Sequence, residues 1–426
     1  MPLRVGTEQL RVQALSMRIC FIADSSSIHV RRIVAYFVRQ GHEILVLSTA
    51  AQKLDISGVT IAYVLPSVAA SSGKEKGNPK SDKRSALRRN MARKCKEEYK
   101  MIIRSLADVT RLFTHRKQCS SRIKEFSPDV VIVFRAFPEG LLTCWCGVER
   151  VILRTAGSDI SYFSRLPILG RFVCRMIRRA DSIITESQYE EDYLRQELGV
   201  RNPIGVIPIG TDITLFRPSL QSNRAKYELG ADSVVVVSNR YLEGFYNGFS
   251  VIEAFVQARK LCSNLELLYV SPYPTTETVR ERLNAIRADG DGIHIVEGPI
   301  PPEEMARALY CGDIWASFSS VDGIPNSLLE AMSCGLVPIV GDLPQLREWV
   351  RDGQTGYVVP LKDVKAMADR MVELSKNKVL RATFSLQCRK KICRDGSYEG
   401  NMQRMVKFVF EAARAQAINN NWETKR

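Results

Sequence analysis

Short runs of apolar, often β-branched residues alternate with amphipathic stretches from residue 18 to about residue 375. Such runs are typical of strands buried on both faces, and the amphipathic stretches between them are typical of crossover helices. The alternation therefore predicts an α/β fold built on parallel sheets. The predicted strands of the first half are Arg18–Ala23, Glu43–Ser48, Thr60–Leu65, Asp129–Phe134, Val151–Thr155, Ser182–Thr185 and Gly205–Ile207. Those of the second half are Ser233–Ser238, Leu265–Ser271, Gly292–Val296, Ile314–Ser317, Val337–Val340 and Gly356–Val359.

The alternation pauses between the two halves, where Pro and Gly punctuate residues 208–218, and it resumes after Gly230. We expect two doubly wound domains joined by a hinge, with ligands bound beyond the carboxyl ends of the strands, in a cleft between the domains. The predicted organisation is an N-terminal extension over 1–16, an N-terminal domain over 17–210 with a basic helical insertion at 74–124, a linker over 211–230, a C-terminal domain over 231–375 and C-terminal helices over 376–426.

The composition is that of a globular chain, with 45% hydrophobic and 25% charged residues among 426. It excludes a mainly disordered chain, a collagen-like repeat and a disulfide-stapled miniprotein. No apolar run approaches the roughly 18–20 residues of a membrane-spanning helix, and residues 1–17 lack the pattern of a secretory leader. The 11 cysteines form no C-x-x-C pair and there are only four histidines, so we expect buried free thiols in the cytoplasm and no metal site.

The net charge of +15 is concentrated in one segment. Residues 74–124 hold 17 Lys/Arg against 5 Asp/Glu, and apolar residues recur at helical spacing from Leu87 to Phe113. Two explanations stay open for this segment. Either it binds an anionic membrane surface at the inner face of the membrane, or its apolar stripe packs on its own domain and the cations are solvated. No nucleic-acid-binding module accompanies the charge, so no nucleic-acid partner is expected.

Several common reaction classes lose their motif support. No G-x-G-x-x-G follows a predicted strand, and no G-x-x-x-x-G-K-[ST] occurs. H-E-x-x-H and G-x-S-x-G are also absent. These absences argue against a dinucleotide-dependent dehydrogenase, a P-loop phosphotransferase, a zinc metalloprotease and an α/β-hydrolase.

The segment Ser319–Gly335 reads SSVDGIPNSLLEAMSCG. Asp322 lies in the loop after a predicted strand, and Glu330 lies about one turn into a helix that Asn326 or Ser327 is predicted to cap. Backbone N–H groups at such a helix N-terminus favour an anion, and a carboxylate on either side of a diphosphate suits a nucleotide-sugar. On spacing alone, a turn aspartate and a solvated helix glutamate explain the pattern better.

Taken with EAMSCGLVPIVGDLPQLREWVRDGQTGYVVP (Glu330–Pro360) and VIPIGTDITLFRP (Val206–Pro218), this segment resembles family 4 glycosyltransferases and their motif of two carboxylates separated by seven residues. The resemblance extends from Met17 to about residue 375. It implies the GT-B fold, two Rossmann-like domains facing a cleft. It also implies a retaining transfer of a sugar from a UDP- or GDP-linked donor to a glycan or lipid-linked acceptor, in surface polysaccharide assembly, without a metal or other cofactor.

The resemblance assigns roles to individual residues. Glu330 would bind the nucleotide ribose, Asp322 the transferred sugar and Arg240 the diphosphate. Backbone groups of the loop and the helix start would also face the diphosphate, at Gly323, Ile324, Asn326 and Ser327. The sequence departs from the family pattern at three places: Asp322 stands where Glu is more common, Pro325 where many members have Gly, and Tyr246-Asn247-Gly248 where the family has a Lys.

The residues predicted to contact the acceptor or line the cleft in the first half of the chain follow predicted strands. Ser26 and His29 follow the first strand, and His29 either contacts the ligand or bonds the start of a helix. Ser158 and Asp159 follow the fifth predicted strand, and Asp159 either accepts a hydroxyl hydrogen bond as a catalytic-site residue or caps the next helix. Glu186 follows the sixth.

Two other functions remain open at this point. Nucleotide-sugar epimerases share the two-domain fold, and a fold does not fix a function. A catalytically silent homologue that only binds a nucleotide is the second alternative, because of Pro325 and the missing Lys.

Overall fold

A computed structural model describes residues 16–49, 56–63, 110, 113–157, 160, 163–166, 169–219, 223–272, 274–288 and 292–423. Three of the sequence predictions fall mainly outside these ranges. Of the predicted N-terminal extension at 1–16, only residue 16 is described. The basic insertion at 74–124 is described only at residue 110 and from residue 113 onward, where residues 113–126 are helical. The predicted apolar stripe from Leu87 to Phe113 lies outside the described residues except at Phe113.

The first sheet has seven strands in the described residues, ordered β3-β2-β1-β4-β5-β6-β7. Parallel pairing joins β1 to β2 and β4, β2 to β3, β4 to β5, and β6 to β7. These strands are β1 (Arg18–Ala23), β2 (Glu43–Ser48), β3 (Thr60–Tyr63), β4 (Val130–Phe134), β5 (Val151–Arg154), β6 (Ser182–Thr185) and β7 (Ile204–Val206).

The second sheet has six strands in the described residues, ordered β10-β9-β8-β11-β12-β13, and its pairs are parallel. In both sheets the order runs away from the first strand and then restarts on its other side, which is the doubly wound order. The second-sheet strands are β8 (Val234–Ser238), β9 (Leu265–Ser271), β10 (Ile293–Glu297), β11 (Ile314–Ser317), β12 (Val337–Gly341) and β13 (Tyr357–Val359).

Every predicted strand is found, and β1, β2, β6, β9 and β11 have the predicted bounds. The other bounds differ by one residue, as at β7, which begins at Ile204 rather than Gly205, and the predicted end of β3, at residues 64 and 65, lies outside the described residues. The agreement has a physical reason. Strands of a parallel sheet are covered on both faces, so each reads as one apolar run with Gly, Pro or polar residues at its ends.

Helices connect the strands, as the alternation predicts. The α-helices with defined bounds are Ile28–Arg39, Glu139–Cys146, Leu169–Arg179, Gln188–Gln196, Gly248–Arg259, Glu277–Ala288, Pro302–Leu309, Asn326–Cys334, Val364–Lys376, Lys378–Lys391 and Tyr398–Glu423. Short 3-10 turns lie at Phe163–Arg165, Arg224–Tyr227, Gly244–Tyr246 and Pro344–Glu348, and a π-turn lies at Ile392–Gly396.

The chain divides into two compact units, one of residues 1–154, 179–182 and 409–426 and the other of residues 155–178 and 183–408. In the second unit the sheet has a core on each face. Val234 and Val236 belong to one cluster of buried residues, and Val235 and Val237 belong to the other. This alternation follows from the two-residue period of a strand.

Each sheet has a switch point, where successive crossovers leave in opposite directions, and open α/β sheets bind ligands at such points. In the first sheet it lies between β1 and β4, and in the second between β8 and β11. The loops after these four strands are therefore where functional side chains are expected.

Candidate functional site

Arg240 follows β8, at the switch point of the second sheet. Its guanidinium donates from Nη1 to Ser327 Oγ at 2.9 Å and from Nη2 to Ser319 Oγ at 3.3 Å, and it is ion-paired with the Asp322 carboxylate. Its side chain is only 11% exposed. Its Nε is buried without a hydrogen-bond partner among the described residues. One buried cation thus links the end of β8 to the loop after β11 and to the helix Asn326–Cys334.

Asp322 is enclosed with this cation, and its side chain is 16% exposed. Burial raises the pKa of Asp322, and the negative charge of Glu186 raises it further. Arg240 and hydrogen bonds from Ser319 and from the backbone of Gly323 act in the opposite direction without cancelling the effect of burial. The carboxylate is therefore held at some cost in an environment that disfavours its charge, which is a common property of functional carboxylates.

An aromatic side chain to which the sequence assigned no role covers the same cation. The Tyr246 ring lies 4.6 Å from the Arg240 guanidinium carbon, and Tyr241 packs on Tyr246 at 4.7 Å between ring centroids. The only signal for Tyr246 in the sequence was its place in the stretch where the family has a Lys. Asn247 follows with φ +49°, and its side chain donates to the Phe318 carbonyl at 2.9 Å, which joins this loop to the end of β11.

A glycine sets the path of that loop. A Cβ on Gly248 would lie 2.1 Å from the Tyr269 hydroxyl and 2.7 Å from the Leu242 Cα, so no larger residue fits between the loop and β9. The helix Gly248–Arg259 therefore starts close against the sheet. The preceding residues turn back over Arg240 as a result.

The helix that carries Glu330 begins at Asn326, and Glu330 lies one turn in, as predicted. The predicted capping is wrong: Pro325 occupies the N-cap position, and no side chain caps the helix. Ser327 instead accepts a hydrogen bond from Arg240. Glu330 is three residues beyond Ser327, so helical spacing puts both on one face, and both are half-buried. The tertiary contact with Arg240 replaces the local cap that Ser327 was expected to make.

The candidate Glu186, and Gly157 next to the candidates Ser158 and Asp159, lie against the Asp322 loop within the same unit. A Cβ on Gly157 would lie 2.9 Å from the Gly323 Cα and nitrogen, so the loop after β5 meets the loop after β11 backbone to backbone. A Cβ on Gly323 would lie 2.7 Å from Glu186 Oε2. Gln345, which sequence reasoning missed, donates to the Asp322 carbonyl at 2.6 Å. Ser158 and Asp159, expected next to Gly157, lie outside the described residues.

Ser26 and His29 belong to the other unit, after β1. Both are exposed. Ser26 donates through its backbone N–H and its hydroxyl to Asp24 Oδ1, at 2.8 and 2.5 Å. The helix begins at Ile28, one residue before His29. Their roles stay predictions.

A second arginine–carboxylate pair, absent from the predicted site, lies after β4 in that unit. Arg135 donates from Nε to Glu139 Oε2 at 3.1 Å and from Nη2 to Glu139 Oε1. Glu139 is 0% exposed and also accepts from Thr49 Oγ1 at 3.0 Å, whereas the Arg135 side chain is 39% exposed. No motif marks these residues. Their one sequence signal was Arg135 directly after a predicted strand.

Among the described residues, no group of three or more His, Cys, Asp or Glu side chains is arranged to hold a metal ion. The same part of the chain contains no helix with the length and apolar character needed to cross a bilayer.

Comparison with known proteins assigns the family. The family described as "Glycosyltransferase Family 4" matches residues 26–215, and "Glycosyl transferases group 1" matches residues 234–377. The chain belongs to the family 4 glycosyltransferases. The resemblance found in the sequence is confirmed.

One curated relative of this glycosyltransferase is the GDP-mannose-dependent alpha-(1-6)-phosphatidylinositol monomannoside mannosyltransferase of Mycolicibacterium smegmatis. The two are 26% identical over 246 residues, 55% of this chain and 63% of the relative. A monoacylated-substrate counterpart from Corynebacterium glutamicum is 23% identical over 274 residues, 62% of this chain and 70% of the relative. The chain thus spans less than two thirds of the M. smegmatis relative's length.

Solved structures show the fold. Sucrose-phosphate synthase from Thermosynechococcus elongatus aligns with a TM-score of 0.71 at 17% identity, covering 93% of this chain and 99% of that one. The Anabaena protein HepE in complex with UDP aligns with a TM-score of 0.68 at 14% identity, covering 92% and 99%. With the two parallel α/β sheets, these neighbours confirm the predicted GT-B fold.

Proposed function

We propose that this protein is a retaining hexosyltransferase that moves a sugar from a nucleotide-diphosphate sugar to a glycan or lipid-linked acceptor. The observation that carries the proposal is the link made by Arg240. This one buried guanidinium contacts Asp322 and Ser327, on the two segments that hold the family's paired carboxylates. The M. smegmatis and C. glutamicum relatives are named as GDP-mannose-dependent enzymes, which supports a nucleotide-sugar donor.

The donor's diphosphate binds beside Arg240 and the N-terminus of the helix Asn326–Cys334. Positive charge favours the anion there twice, from the guanidinium and from the helix dipole. The diphosphate then competes with Asp322 for the N–H groups of Arg240, and Asp322 is left to accept hydrogen bonds from hydroxyls of the transferred sugar. Glu330, on the same helix face as Ser327, accepts from the ribose hydroxyls.

Catalysis in this arrangement is electrostatic. As the bond to the sugar breaks, negative charge grows on the leaving diphosphate, and a fixed cation that is already desolvated stabilises that charge without reorganising. Tyr246 keeps the guanidinium in place where the family has a Lys. Front-face displacement with retention needs no protein nucleophile and, we propose, no metal ion. Among the described residues, Arg240 is the side-chain cation that contacts Asp322 and Ser327, and it supplies the positive charge that the diphosphate meets there.

The acceptor side is proposed to lie in the unit that contains β1 to β4, where Ser26 and His29 follow β1. We further propose a cytoplasmic role in surface polysaccharide or glycolipid assembly. Peripheral contact with an anionic membrane surface through the basic segment 74–124 is part of that proposal. The phosphatidylinositol monomannoside in the names of the M. smegmatis and C. glutamicum relatives supports a lipid-linked acceptor.

The test is incubation of the full chain with GDP- and UDP-linked sugars and a lipid extract as the source of acceptors. Nucleotide release and new glycoside are measured together, and the anomeric configuration of the product is read by NMR. We expect one donor to release its nucleotide in step with a glycoside that keeps the donor's configuration. Asp322→Asn is the matched variant, which should still bind nucleotide but turn over slowly.

Other outcomes identify the alternatives. An isomerised sugar without a glycoside would indicate an epimerase. Nucleotide binding without consumption of any donor would indicate a silent homologue. An inverted product would refute the retaining mechanism while leaving the transferase assignment intact.

A further inference from the structure

The pair formed by Arg135 and Glu139 is a second charged cluster at a switch point, and the donor site leaves it unused. Arg135 directly follows β4, one of the two strands that flank the switch point of the first sheet. Thr49 follows β2, and it reaches the same carboxylate past the end of β1, which lies between β2 and β4. The cluster therefore occupies the edge where an open α/β sheet binds its ligand.

The pair is an expensive arrangement if its purpose is stability. Glu139 is fully buried, and desolvating a carboxylate is unfavourable, so the ion pair first has to offset that loss. Arg135 also has φ +75°, a left-handed conformation that is unfavourable for a residue with a side chain. A buried carboxylate and a left-handed arginine in the same ion pair, next to a ligand-binding edge, indicate a functional constraint.

What the pair achieves is a fixed orientation. Glu139 binds the guanidinium along its Nε–Nη2 edge, and Thr49 holds Glu139 in turn. The Arg135 side chain nevertheless stays 39% exposed, so Glu139 does not enclose it. A planar guanidinium held in this way matches the oxygens of a phosphate group. Arg154, whose carbonyl accepts from the Arg135 N–H at 2.9 Å, ends the neighbouring strand β5, and its buried guanidinium lies over the Phe134 ring.

We propose that Arg135 binds a phosphate group carried by the acceptor, and that Glu139 is the positioning residue that orients it. The proposal rests on the proposed function, because it assigns the acceptor's chemical class in the same reaction. The phosphate belongs either to a phospholipid headgroup or to a soluble phosphorylated polyol. Both present the same group to Arg135, and the experiment separates them.

Binding is measured on the full chain saturated with GDP and UDP, so that the diphosphate site is occupied. The soluble probes are glycerol 3-phosphate and glycerol. The membrane probes are vesicles of phosphatidylcholine with and without phosphatidylinositol. We expect Arg135→Gln to weaken phosphate-dependent binding roughly 10- to 100-fold, the loss expected for a charged hydrogen-bonded contact. Binding of glycerol 3-phosphate that Arg135→Gln weakens would identify a soluble acceptor. Binding of phosphatidylinositol vesicles alone would identify a lipid if Arg135→Gln weakens it, because the basic segment 74–124 is present in both proteins.

Three variants make the test specific. Arg135→Lys keeps the charge but loses the two-pronged geometry, so it should recover part of the binding, and it replaces Arg135→Gln if that variant does not fold. Glu139→Gln should raise the KM for a phosphorylated acceptor while the kcat at saturation and the donor KM stay unchanged. Arg18→Gln is the control, since Arg18 forms a partly exposed ion pair with Glu43 in the same unit and lies outside the basic segment 74–124.

The proposal is wrong if no probe binds the wild-type chain better for carrying a phosphate, or if Arg135→Gln binds it as the wild type does. Failure of the proposed function looks different. A chain that consumes no nucleotide-sugar fails as a transferase, whatever its affinity for phosphate. A chain that makes glycoside with an unchanged acceptor KM in Arg135→Gln keeps its transferase function and loses only this site.

Discussion

Arg240–Asp322 and Arg135–Glu139 are two arginine–carboxylate pairs at the switch points of two sheets, and they are built in opposite ways. In the first pair both partners are enclosed, with the arginine 11% and the aspartate 16% exposed. In the second the carboxylate is 0% exposed and the arginine 39%. Arg240 has two hydroxyl acceptors besides its carboxylate, whereas in the second pair the extra hydroxyl, from Thr49, binds the carboxylate.

The difference indicates which partner each pair offers to a ligand. An enclosed cation with several fixed acceptors is a preorganised electrostatic group, suited to charge that develops during a reaction. A half-exposed cation on a buried carboxylate is suited to binding an anion that arrives already charged. The first pair should therefore control turnover, and the second should control acceptor affinity.

The largest effect is expected from Arg240. We expect Arg240→Ala to lower kcat/KM for the donor by about 10²- to 10³-fold, the range seen when one preorganised donor at a developing charge is removed. Arg240→Lys should be nearly as damaging, because an ammonium group does not reproduce the guanidinium's contacts with three separate side chains. Steady-state rates with the identified donor provide the measurement.

Arg280→Ala is the matched control for this prediction, since Arg280 forms an exposed ion pair with Glu277 in the same unit. It should leave the rate unchanged. If Arg240→Lys retains most of the wild-type rate, the contrast between an enclosed and an offered arginine does not hold.

The first pair also shows how much of the site could be predicted from the sequence. The strands and the places of Asp322 and Glu330 followed from apolar runs and one motif, because buried parallel strands leave a strong local signal. The strand order that defines the switch points came only from the structure. The contact of Tyr246 with Arg240 and the use of Ser327 by Arg240 rather than as a cap depend on the path of a loop. That path is set by close packing at Gly248, which a local rule does not detect.

The second pair was not predicted at all, for a related reason. Arg135 and Glu139 are four residues apart, like many helical surface pairs, but Arg135 precedes the helix and has a left-handed backbone. Glu139 is buried because it opens a short helix packed beside the ends of the strands. Sequence spacing alone gives neither the burial nor the reach of Thr49.

A smaller effect is expected from Glu330, which tests whether the first site separates nucleotide from sugar. Glu330→Gln should weaken nucleotide binding by roughly 10- to 100-fold, because ribose hydroxyls lose a charged acceptor worth about 1.5–3 kcal/mol. Asp322→Ala should instead lower turnover more than nucleotide affinity. Calorimetry with GDP and UDP measures the nucleotide affinity of both variants, and steady-state rates measure their turnover. Glu277→Gln is the control. Equal nucleotide affinity in Glu330→Gln and wild type would remove Glu330 from the site.

A still smaller effect is expected from Tyr246. A ring over a partly desolvated guanidinium contributes about 0.5–2 kcal/mol, so Tyr246→Leu should lower kcat/KM roughly 2- to 30-fold. Tyr246→Phe keeps the ring face and should stay close to the wild type. If Phe and Leu reduce the rate equally, the hydroxyl rather than the ring matters, and the cation–π account of this position is incorrect.

The smallest effect concerns stability, where the two pairs should respond with opposite signs. Burial raises the pKa of Asp322, so the folded chain binds this proton more tightly than the unfolded chain. As the pH rises from the unfolded pKa of about 3.9 through the higher folded pKa, ionisation of Asp322 removes stability, and the loss is complete above that pKa.

Asp322→Asn carries no charge and still accepts from Arg240, so it should melt above the wild type at neutral pH, and the difference should shrink as the pH approaches 4. Glu139→Gln should melt below the wild type at neutral pH, because both Glu139 oxygens accept hydrogen bonds and a buried amide NH2 group in place of one of them would face a donor. A lower melting temperature for Asp322→Asn at neutral pH would show that the Arg240 ion pair more than repays the burial of Asp322, and the two pairs would then stabilise the fold in the same way.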